Sequence, residues 1–323
     1  MKVFVTGGAG YIGSVCVEEL LNSGHQVTVF DNLSEGHRLA VDNRAVFVHA
    51  SLSDKERLLE AVRDAGAEVI IHFAAHALVV ESMANPGKYF RNNVAYGLNL
   101  LDAAVECGVK KFVFSSTCAT YGVPEQVPMT EDLPLRPINP YGQSKLMFEQ
   151  MLEWYRRIHG LDFVVFRYFN AAGASKQFGE HHRLETHLIP NVLRVALGLA
   201  PDCEIFGTDY PTPDGTCIRD YVHVVDLASA HILAMKPGKS GFYNLGNGDG
   251  YSVRQVIQTC AQVTGKELRT LEKPRRPGDP PRLVASAEKA RLELNWQPAF
   301  SRLEDIVRSA WQWHQAHPHG YTS

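Results

Sequence analysis

KVFVTGGAGYIGS, residues 2–14, decides the fold of this chain. A β-branched run is followed at once by Gly7, Gly10 and Gly13, and then by apolar residues at helical spacing. A glycine-rich turn between a strand and a helix lets the backbone approach a pyrophosphate closely, and the first amides of the helix hold its negative charge. The stretch therefore predicts a dinucleotide-binding βα unit.

An acidic residue closes the next predicted strand, HQVTVFDN (25–32). Asp31 follows the glycine turn by roughly 20 residues, the spacing at which a carboxylate accepts hydrogen bonds from a ribose 2′-hydroxyl and repels a 2′-phosphate. We therefore predict NAD as the cofactor and not NADP. The alternative is a plain glycine turn followed by an exposed aspartate.

The first half of the chain alternates strands and helices. Strands are predicted in KVFVT (2–6), HQVTVFDN (25–32), RAVFVHA (44–50), EVIIHFAA (68–75), KKFVFSS (110–116) and LDFVVFRYFN (161–170). Helices are predicted over 11–24, from Asp54 through Ala65, after Pro86 through Gly108, and over 140–160. This order predicts an α/β fold with a doubly wound parallel sheet of the Rossmann type.

The alternating pattern ends near Asn170, and short helices and loops rich in His, Pro, Gly and Asp follow. We predict a dinucleotide-binding domain over 1–170, with a return to its sheet near 219–245. Residues 171–323 are expected to form mainly a smaller, mixed α/β lobe that binds substrate.

Composition excludes several classes of protein. With 45% hydrophobic and 21% charged residues the chain is typical of a soluble globular protein, and a net charge of −3 excludes a globally basic nucleic-acid binder, although it leaves room for a local basic patch. No stretch is long and apolar enough to cross a bilayer, and the N-terminus enters a strand without a signal peptide. Six cysteines stand singly, without a C-x-x-C pair. This predicts a cytoplasmic protein with reduced thiols, and neither a disulfide frame nor a zinc site.

Three side chains suggest a reaction centre. Tyr141 and Lys145 are four residues apart, hence on one face of a predicted helix, and Thr117 follows a predicted strand at its carboxyl end. A tyrosine base at pH 7 needs its pKa lowered by about 3 units, or about 4 kcal/mol. A cation ~5 Å away supplies roughly 3 kcal/mol at an effective dielectric constant of ~20, so lysine together with an oxidised nicotinamide can achieve it. The alternative is a chance Y-x-x-x-K pattern.

Motifs along the whole chain resemble one family. In order they are TGGAGYIGS, HFAA, NNV, FSSTCATYG, PYGQSK, RYFNAAGA, THLIP, RDYVHVVDLA, YNLGNG and RRPGD. Together, over roughly residues 1–315, they resemble an extended short-chain dehydrogenase/reductase, and most closely the UDP-glucose 4-epimerase family of bacterial galactose metabolism. The glycine motif and Y-x-x-x-K mark only the superfamily, whereas RYFNAAGA, RDYVHV and RRPGD narrow it to nucleotide-sugar 4-epimerases.

The resemblance implies a set of ligand-binding residues. Besides the three glycines, the implied cofactor contacts are Tyr11, Ile12, Asp31, Asn32, Ser51, Leu52, Phe73, Ala74, Ala75, Asn92, Lys145 and Phe169. The implied substrate contacts are Thr117 and Tyr141 at the sugar O4, with Asn170, His187, Leu188, Arg219, Arg276 and Asp279 on the rest of the nucleotide sugar. Paired arginines in KPRRPGD (273–279) suit a diphosphate, although a solvated surface loop is the alternative. At Ser51 the family's acid is missing, so we expect altered cofactor affinity.

The implied reaction is reversible inversion at C4, from UDP-glucose to UDP-galactose, through a 4-keto intermediate with bound NAD. Another UDP-sugar (UDP-N-acetylglucosamine, a UDP-pentose or a UDP-uronate) is one alternative, and a non-catalytic NAD-binding regulator is another. Leu283 matches the family position that limits sugar size, which suggests room for an N-acetylhexosamine. By resemblance a homodimer is expected to form through the helices at 86–108 and 140–159.

Two other chemistries are not favoured by the sequence. Dehydratases of the superfamily carry an acidic pair after the threonine, where this chain has Cys118 and Ala119. Cys118 has no evident activating base and is interpreted as a packing residue. GEHHRLETH (179–187) matches no standard zinc spacing, so we predict a loop that covers the substrate and no metal.

Overall fold

The computed structural model describes residues 1–276 and 278–322 of the chain, so Pro277 of the RRPGD motif and Ser323 lie outside the described residues. The strands are β1 (Lys2–Thr6), β2 (Gln26–Asp31), β3 (Val46–His49), β4 (Val69–His72), β5 (Lys111–Thr117), β6 (Asp162–Tyr168), β7 (Asn170–Ala172), β8 (Cys203–Phe206), β9 (Ile218–His223), β10 (Gly241–Leu245), β11 (Gly250–Ser252), β12 (Thr270–Lys273) and β13 (Arg282–Leu283). The helices are α1 (Tyr11–Asn22), α2 (Lys55–Ala65), α3 (Val79–Ala84), α4 (Pro86–Tyr89), α5 (Gly97–Glu106), α6 (Pro140–His159), α7 (Leu188–Ala196), α8 (Val224–Ala234), α9 (Val253–Thr264), α10 (Glu288–Leu294) and α11 (Leu303–Ala316).

A large parallel sheet forms the centre of the molecule. Its strand order is β10-β6-β5-β4-β1-β2-β3, and every neighbouring pair runs parallel. One apolar core lies between one face of this sheet and the helices α1 and α8. A second core lies between the other face and the helices α2, α5 and α6. The predicted doubly wound α/β fold is confirmed.

The second half of the chain divides its strands between sheets. β9 pairs with β7, β11 and β13 in a small sheet, β8 pairs with β12, and α7, α9 and α11 share a third core. Residues 219–245 were expected to return to the large sheet, but β9, at the start of this range, belongs to the small sheet. β10 completes the large sheet beside β6, and α8 packs against α1. The division into domains at residue 170 stays a prediction.

The helix predicted after Pro86 is present but is not a regular α-helix. Between α4 and α5 the chain forms a π-helical segment, Phe90–Tyr96, without a break in the helix. Segments of this kind occur often at functional sites, because the wider turn re-aims the side chains that follow. α3, just before it, was not predicted. None of the helices among the described residues has the length and apolar character of a membrane span.

Candidate active site

A cleft lies where the strands β1 to β4 end. The turns after these strands and the π-helical segment supply its walls. The cleft brings together most of the predicted cofactor residues, namely Gly7, Gly10, Asp31, Asn32, Ser51, Leu52, Phe73, Ala74, Ala75 and Asn92. The missing family acid leaves Ser51 in this wall, with its hydroxyl oxygen accepting hydrogen bonds from the amide and hydroxyl of Ser53.

The three glycines of the first turn serve different purposes. Gly7 has a φ of 75°, and a Cβ there would lie 2.5 Å from the Ala74 amide nitrogen, while a Cβ on Gly13 would lie 2.1 Å from the Gly7 carbonyl oxygen. Gly10 is different, because its Cβ would meet only the Gly7 carbonyl oxygen, at 3.4 Å. Packing within the protein thus requires Gly7 and Gly13, whereas Gly10 keeps the cleft open. No side chain of the described residues caps α1, so its first amides remain available to a phosphate.

Asp31 is fixed at the edge of the cleft by the backbone. One carboxylate oxygen accepts from the Ala9 amide at 3.0 Å and the other from the Leu33 amide at 2.8 Å. Burial raises the pKa of this carboxyl, and the two hydrogen bonds partly offset the effect. Each oxygen keeps a further lone pair for a ribose hydroxyl, so the residues present fit the adenosine end of NAD.

Two predicted contacts cannot be made by side chains. The Tyr11 hydroxyl donates to the Gly173 carbonyl at 2.6 Å, and Ile12 packs against the core. Like Gly13, these residues offer the cleft only their backbone amides.

Lys145 lies beside the end of β5. Its ammonium donates to the Ser115 carbonyl at 2.7 Å, stands 4.8 Å from the centre of the Phe114 ring, and is buried. Burial lowers the pKa of Lys145 to about 7, with the Glu149 carboxylate acting in the opposite direction.

Tyr141 is half-buried in the first turn of α6, and Thr117 ends β5. Burial raises the pKa of Tyr141 to about 12, although a hydrogen bond with Thr117 lowers it in part. Among the protein's own groups, loss of hydration therefore outweighs the effects that lower this pKa. A further positive charge beside the phenol is needed before it can act as a base near pH 7.

The π-helical segment joins the cleft to α6. Asn93 accepts from the His76 amide at 3.0 Å and donates to the His76 carbonyl at 3.0 Å and to the Ser144 hydroxyl at 3.1 Å. The neighbouring Asn92 donates to Asn93 at 2.9 Å and faces the cleft. Asn93, which sequence reasoning missed, therefore couples the cleft wall to the helix that carries Lys145.

The predicted substrate residues of the small lobe are partly assembled. Arg219 is paired with Asp279 at 2.7 Å, and Arg276 stacks on the Phe206 ring, 3.9 Å from its centre. Asn170 donates to the Asp220 carbonyl at 2.9 Å. His187 and Leu188 lie at the start of α7. The structure thus joins Arg219 to Asp279, while Arg276 remains on an exposed loop.

A small apolar cluster connects the small lobe to the reaction centre. Phe169, Tyr121, Met129 and Ala285 are its buried members. Leu283 and Cys118 pack against them, and Cys118 is the residue after Thr117. Leu283 is therefore held on the same cluster as Phe169, close to the end of β5.

Comparison with known proteins agrees with this geometry. A model of the NAD dependent epimerase/dehydratase family matches residues 3–246. The chain belongs to this family. A UDP-glucose 4-epimerase of Halalkalibacterium halodurans is 50% identical over 100% of the chain and 98% of its own length. Two solved structures are also similar. The first is a UDP-glucose 4-epimerase with a TM-score of 0.97 at 47% identity, and the match covers 99% of each chain. The second is the Brucella ovis UDP-glucose 4-epimerase in complex with NAD, with a TM-score of 0.93 at 44% identity, and the match covers 96% of this chain and 97% of that one.

The turn after Thr117, where the sequence predicts no acid, is formed by uncharged residues. Cys118 begins a short 3₁₀ turn, Cys118–Thr120, and burial raises the pKa of its thiol to about 12. A neutral thiol with such a pKa is a poor acid near pH 7. The chain therefore lacks, at this turn, the acid that would protonate a leaving hydroxyl.

Part of the family's cofactor cleft was missed from the sequence. Its further lining residues are Phe30, Ser34, Glu35, Gly36, Ala50 and His76. The turn signal in NLSEG, directly after Asp31, could have indicated the segment 32–36. Gly36 is needed there because its Cβ would lie 2.8 Å from the Ala9 carbonyl oxygen.

Proposed function

We propose that this chain interconverts UDP-glucose and UDP-galactose by inverting the configuration at C4 through a 4-keto sugar. The observation that carries the proposal is that Thr117, Tyr141 and Lys145 meet at the end of β5, next to the cleft that fits NAD. A relative that is 50% identical over the whole chain is named a UDP-glucose 4-epimerase.

NAD fits the residues that line the cleft. Asp31 would hold the adenosine ribose, the turn with Gly10 the pyrophosphate, and Lys145 the nicotinamide ribose. When bound, the nicotinamide supplies the oxidation and the re-reduction of C4, together with a positive charge.

The protein's own groups handle the proton at O4. The Tyr141 phenolate takes the proton of the 4-hydroxyl and returns it after the sugar has turned, while the Thr117 hydroxyl orients O4. Because burial holds the pKa of Tyr141 at about 12, the phenolate forms only when positive charge is added beside it. Proton removal is thereby coupled to a loaded cofactor cleft.

Substrate affinity is proposed to come mainly from UDP. Arg219 and Arg276 would bind the diphosphate, and Asp279 the uridine ribose, with Asn170 and the His187–Leu188 segment completing the site. A sugar that is gripped at every hydroxyl could not turn its other face to the ring, so few contacts to the hexose are expected.

UDP-N-acetylhexosamines are a second candidate substrate, favoured by Leu283. This side chain packs on the cluster of Phe169 and leaves more room than a tyrosine would. Turnover of UDP-N-acetylglucosamine alongside UDP-glucose supports this candidate, and its absence where UDP-glucose reacts excludes it.

The test of the main proposal is incubation of the purified chain with UDP-galactose, followed by chromatography of the products. UDP-glucose is expected, and a dehydrated keto product would contradict the proposal. In the matched variant Tyr141→Phe, turnover should fall by ~10²–10⁴-fold while NAD and UDP still bind, because only the proton acceptor is removed. If the chain were a non-catalytic regulator, the wild type and Tyr141→Phe would show the same lack of turnover and the same binding of NAD.

A homodimer is proposed through α5 and α6. Leu98 on α5 is 38% exposed, and Trp154 and Ile158 on α6 are 59% and 68% exposed. Exposed large apolar side chains on two packed helices are typical of protein–protein contacts. Light scattering should give a dimer for the wild type and a monomer for Trp154→Glu, and a wild-type monomer would refute the proposal.

A cytoplasmic location is also proposed. All six cysteines are free thiols, and such thiols persist in a reducing compartment. Cell fractionation with an antibody against the chain would test the location.

A further inference from the structure

Four potential metal ligands converge in the segment before α7, although its sequence spacing predicted no metal site. The side chains are Glu180, His182, Glu185 and His187, and one ligand atom of each lies within 4.8 Å of the other three. The convergence is produced by the chain folding back on itself over residues 180–187, which sequence spacing does not reveal.

The contacts inside this group, the Glu/His cluster, are close. Glu180 Oε1 lies 3.1 Å from His182 Nε2 and 3.0 Å from His187 Nδ1. Glu185 Oε1 lies 2.8 Å from His187 Nδ1 and also accepts from the His187 amide at 2.8 Å. Ligands around a tetrahedral ion at about 2.0–2.2 Å are roughly 3.3–3.6 Å apart, so small side-chain rotations would complete such a shell.

Charge also favours a cation here. The side chains of Glu180 and Glu185 are only 5% and 6% exposed. Within the described part of the chain, their ion pairs are made to His182 and His187 alone. Arg183, in the same segment, donates instead to the Leu33 carbonyl. Buried carboxylates are normally paired with a cation or coordinate a metal, so a divalent ion would take the place of the proton through which His187 Nδ1 faces both carboxylates.

We propose that the Glu/His cluster is a structural binding site for a divalent transition metal of the zinc class. Two imidazole nitrogens and two carboxylate oxygens form a ligand set that suits Zn²⁺ in tetrahedral geometry. The His187 side chain is 46% exposed, which gives the ion a route from solvent. The four side chains would fill all four coordination positions of a tetrahedral ion, which leaves no position for a reacting water. The role of the site is therefore to hold the segment and not to catalyse.

The position of the cluster indicates what the ion would stabilise. The His182 ring stands edge-on to Tyr11, whose hydroxyl bonds to Gly173. His187 begins α7 at the other end of the segment. A bound ion would therefore fix the segment between the first turn of the cofactor cleft and the small lobe.

The test uses the full chain, treated with a chelator, dialysed, and then titrated with Zn²⁺ alone by calorimetry. We expect one tight equivalent of Zn²⁺ per chain and a melting temperature that rises with added Zn²⁺. His182→Asn and Glu180→Gln should weaken the binding by more than the ~10–100-fold that loss of an outer-shell partner causes. His159→Asn, which changes an exposed histidine at the end of α6, is the matched control and should bind as the wild type does.

Cobalt substitution gives a measurement that does not depend on how the variants fold. Co²⁺ in the wild-type chain should show the intense visible absorption of a tetrahedral site, and added Zn²⁺ should remove it. The proposal is overturned if the wild type retains far less than one equivalent, or if folded His182→Asn binds as tightly as the control. In that case the cluster is only a network of hydrogen bonds. Neither readout depends on turnover of a sugar nucleotide.

Discussion

The cofactor cleft allows a sharp test with two alanines in the same turn. In Gly10→Ala the new Cβ meets only the Gly7 carbonyl oxygen, at 3.4 Å, an ordinary contact, and otherwise faces the cleft. In Gly13→Ala the new Cβ lies 2.1 Å from the same oxygen and 2.9 Å from the Gly8 Cα. Gly10→Ala thus places its methyl group in the space of the ligand, whereas Gly13→Ala places its methyl group against the protein's own backbone.

The expected magnitudes follow from these distances. The methyl group of Gly13→Ala must force backbone atoms apart by about 1 Å, which costs roughly 1–3 kcal/mol or more, and the better helix propensity of alanine returns only about 1 kcal/mol. Gly10→Ala should change the free energy of unfolding by less than about 1 kcal/mol, because the loss of a glycine N-cap and the gain from a stiffer unfolded chain are both small. Its affinity for NAD should fall at least about 10-fold, which is about 1.4 kcal/mol.

Urea denaturation and NAD titration of both variants measure the two quantities separately. The assignment of the cleft is refuted if Gly10→Ala binds NAD as tightly as the wild type. The packing argument is refuted if Gly13→Ala is as stable as the wild type.

Three further predictions concern Glu149, His231 and Leu283. Glu149→Gln should lower the free energy of unfolding in urea by about 3–5 kcal/mol, because it leaves Arg167, bonded to it at 2.7 Å, buried without a carboxylate; a loss below about 1 kcal/mol would contradict this. Burial lowers the pKa of His231 to about 4, so stability present above pH 6.5 is lost as the pH falls toward 4, by up to about 1.4 kcal/mol per unit for this group. Urea midpoints of His231→Phe should fall less steeply over that range, and equal slopes would disprove the assignment. Leu283→Tyr should remove any turnover of UDP-N-acetylglucosamine and keep that of UDP-glucose, and an unchanged ratio of the two rates would count against a role in sugar size.

The large sheet could be predicted because its signals are local. Each of β1 to β6 is rich in β-branched and aromatic residues, and the glycine turn after β1 fixes the first crossover to α1. A return of the chain to this sheet near 219–245 was predicted and is made by β10, but its pairing with β6 could not be read from the sequence, since it joins segments far apart in the chain. The short strands of the small lobe could not be predicted either, because strands of two to four residues, such as β13, are too short to show a periodicity in the sequence.

The site was predictable in position and less so in its chemistry. The carboxyl ends of parallel strands bring Asp31, Phe73 and Thr117 to one edge of the sheet, and the motifs indicate this edge directly. The extent to which burial raises the pKa of Tyr141 could not be predicted, because the sequence does not show how much water a side chain loses. The prediction that Lys145 and an oxidised nicotinamide together lower this pKa stays a prediction. The convergence of the Glu/His cluster could not be read from the sequence, since the spacing of residues 180–187 does not show that the four side chains lie within 4.8 Å of one another.

The late position of β10 in the sequence affects how the molecule is made. While the ribosome has released only the first 170 residues, β6 has a bare edge and the apolar side of α1 lacks its cover from α8. This exposed apolar surface is prone to aggregation with other chains until residues up to Leu245 have emerged. The large sheet therefore cannot be completed until much of the second half of the chain has been synthesised.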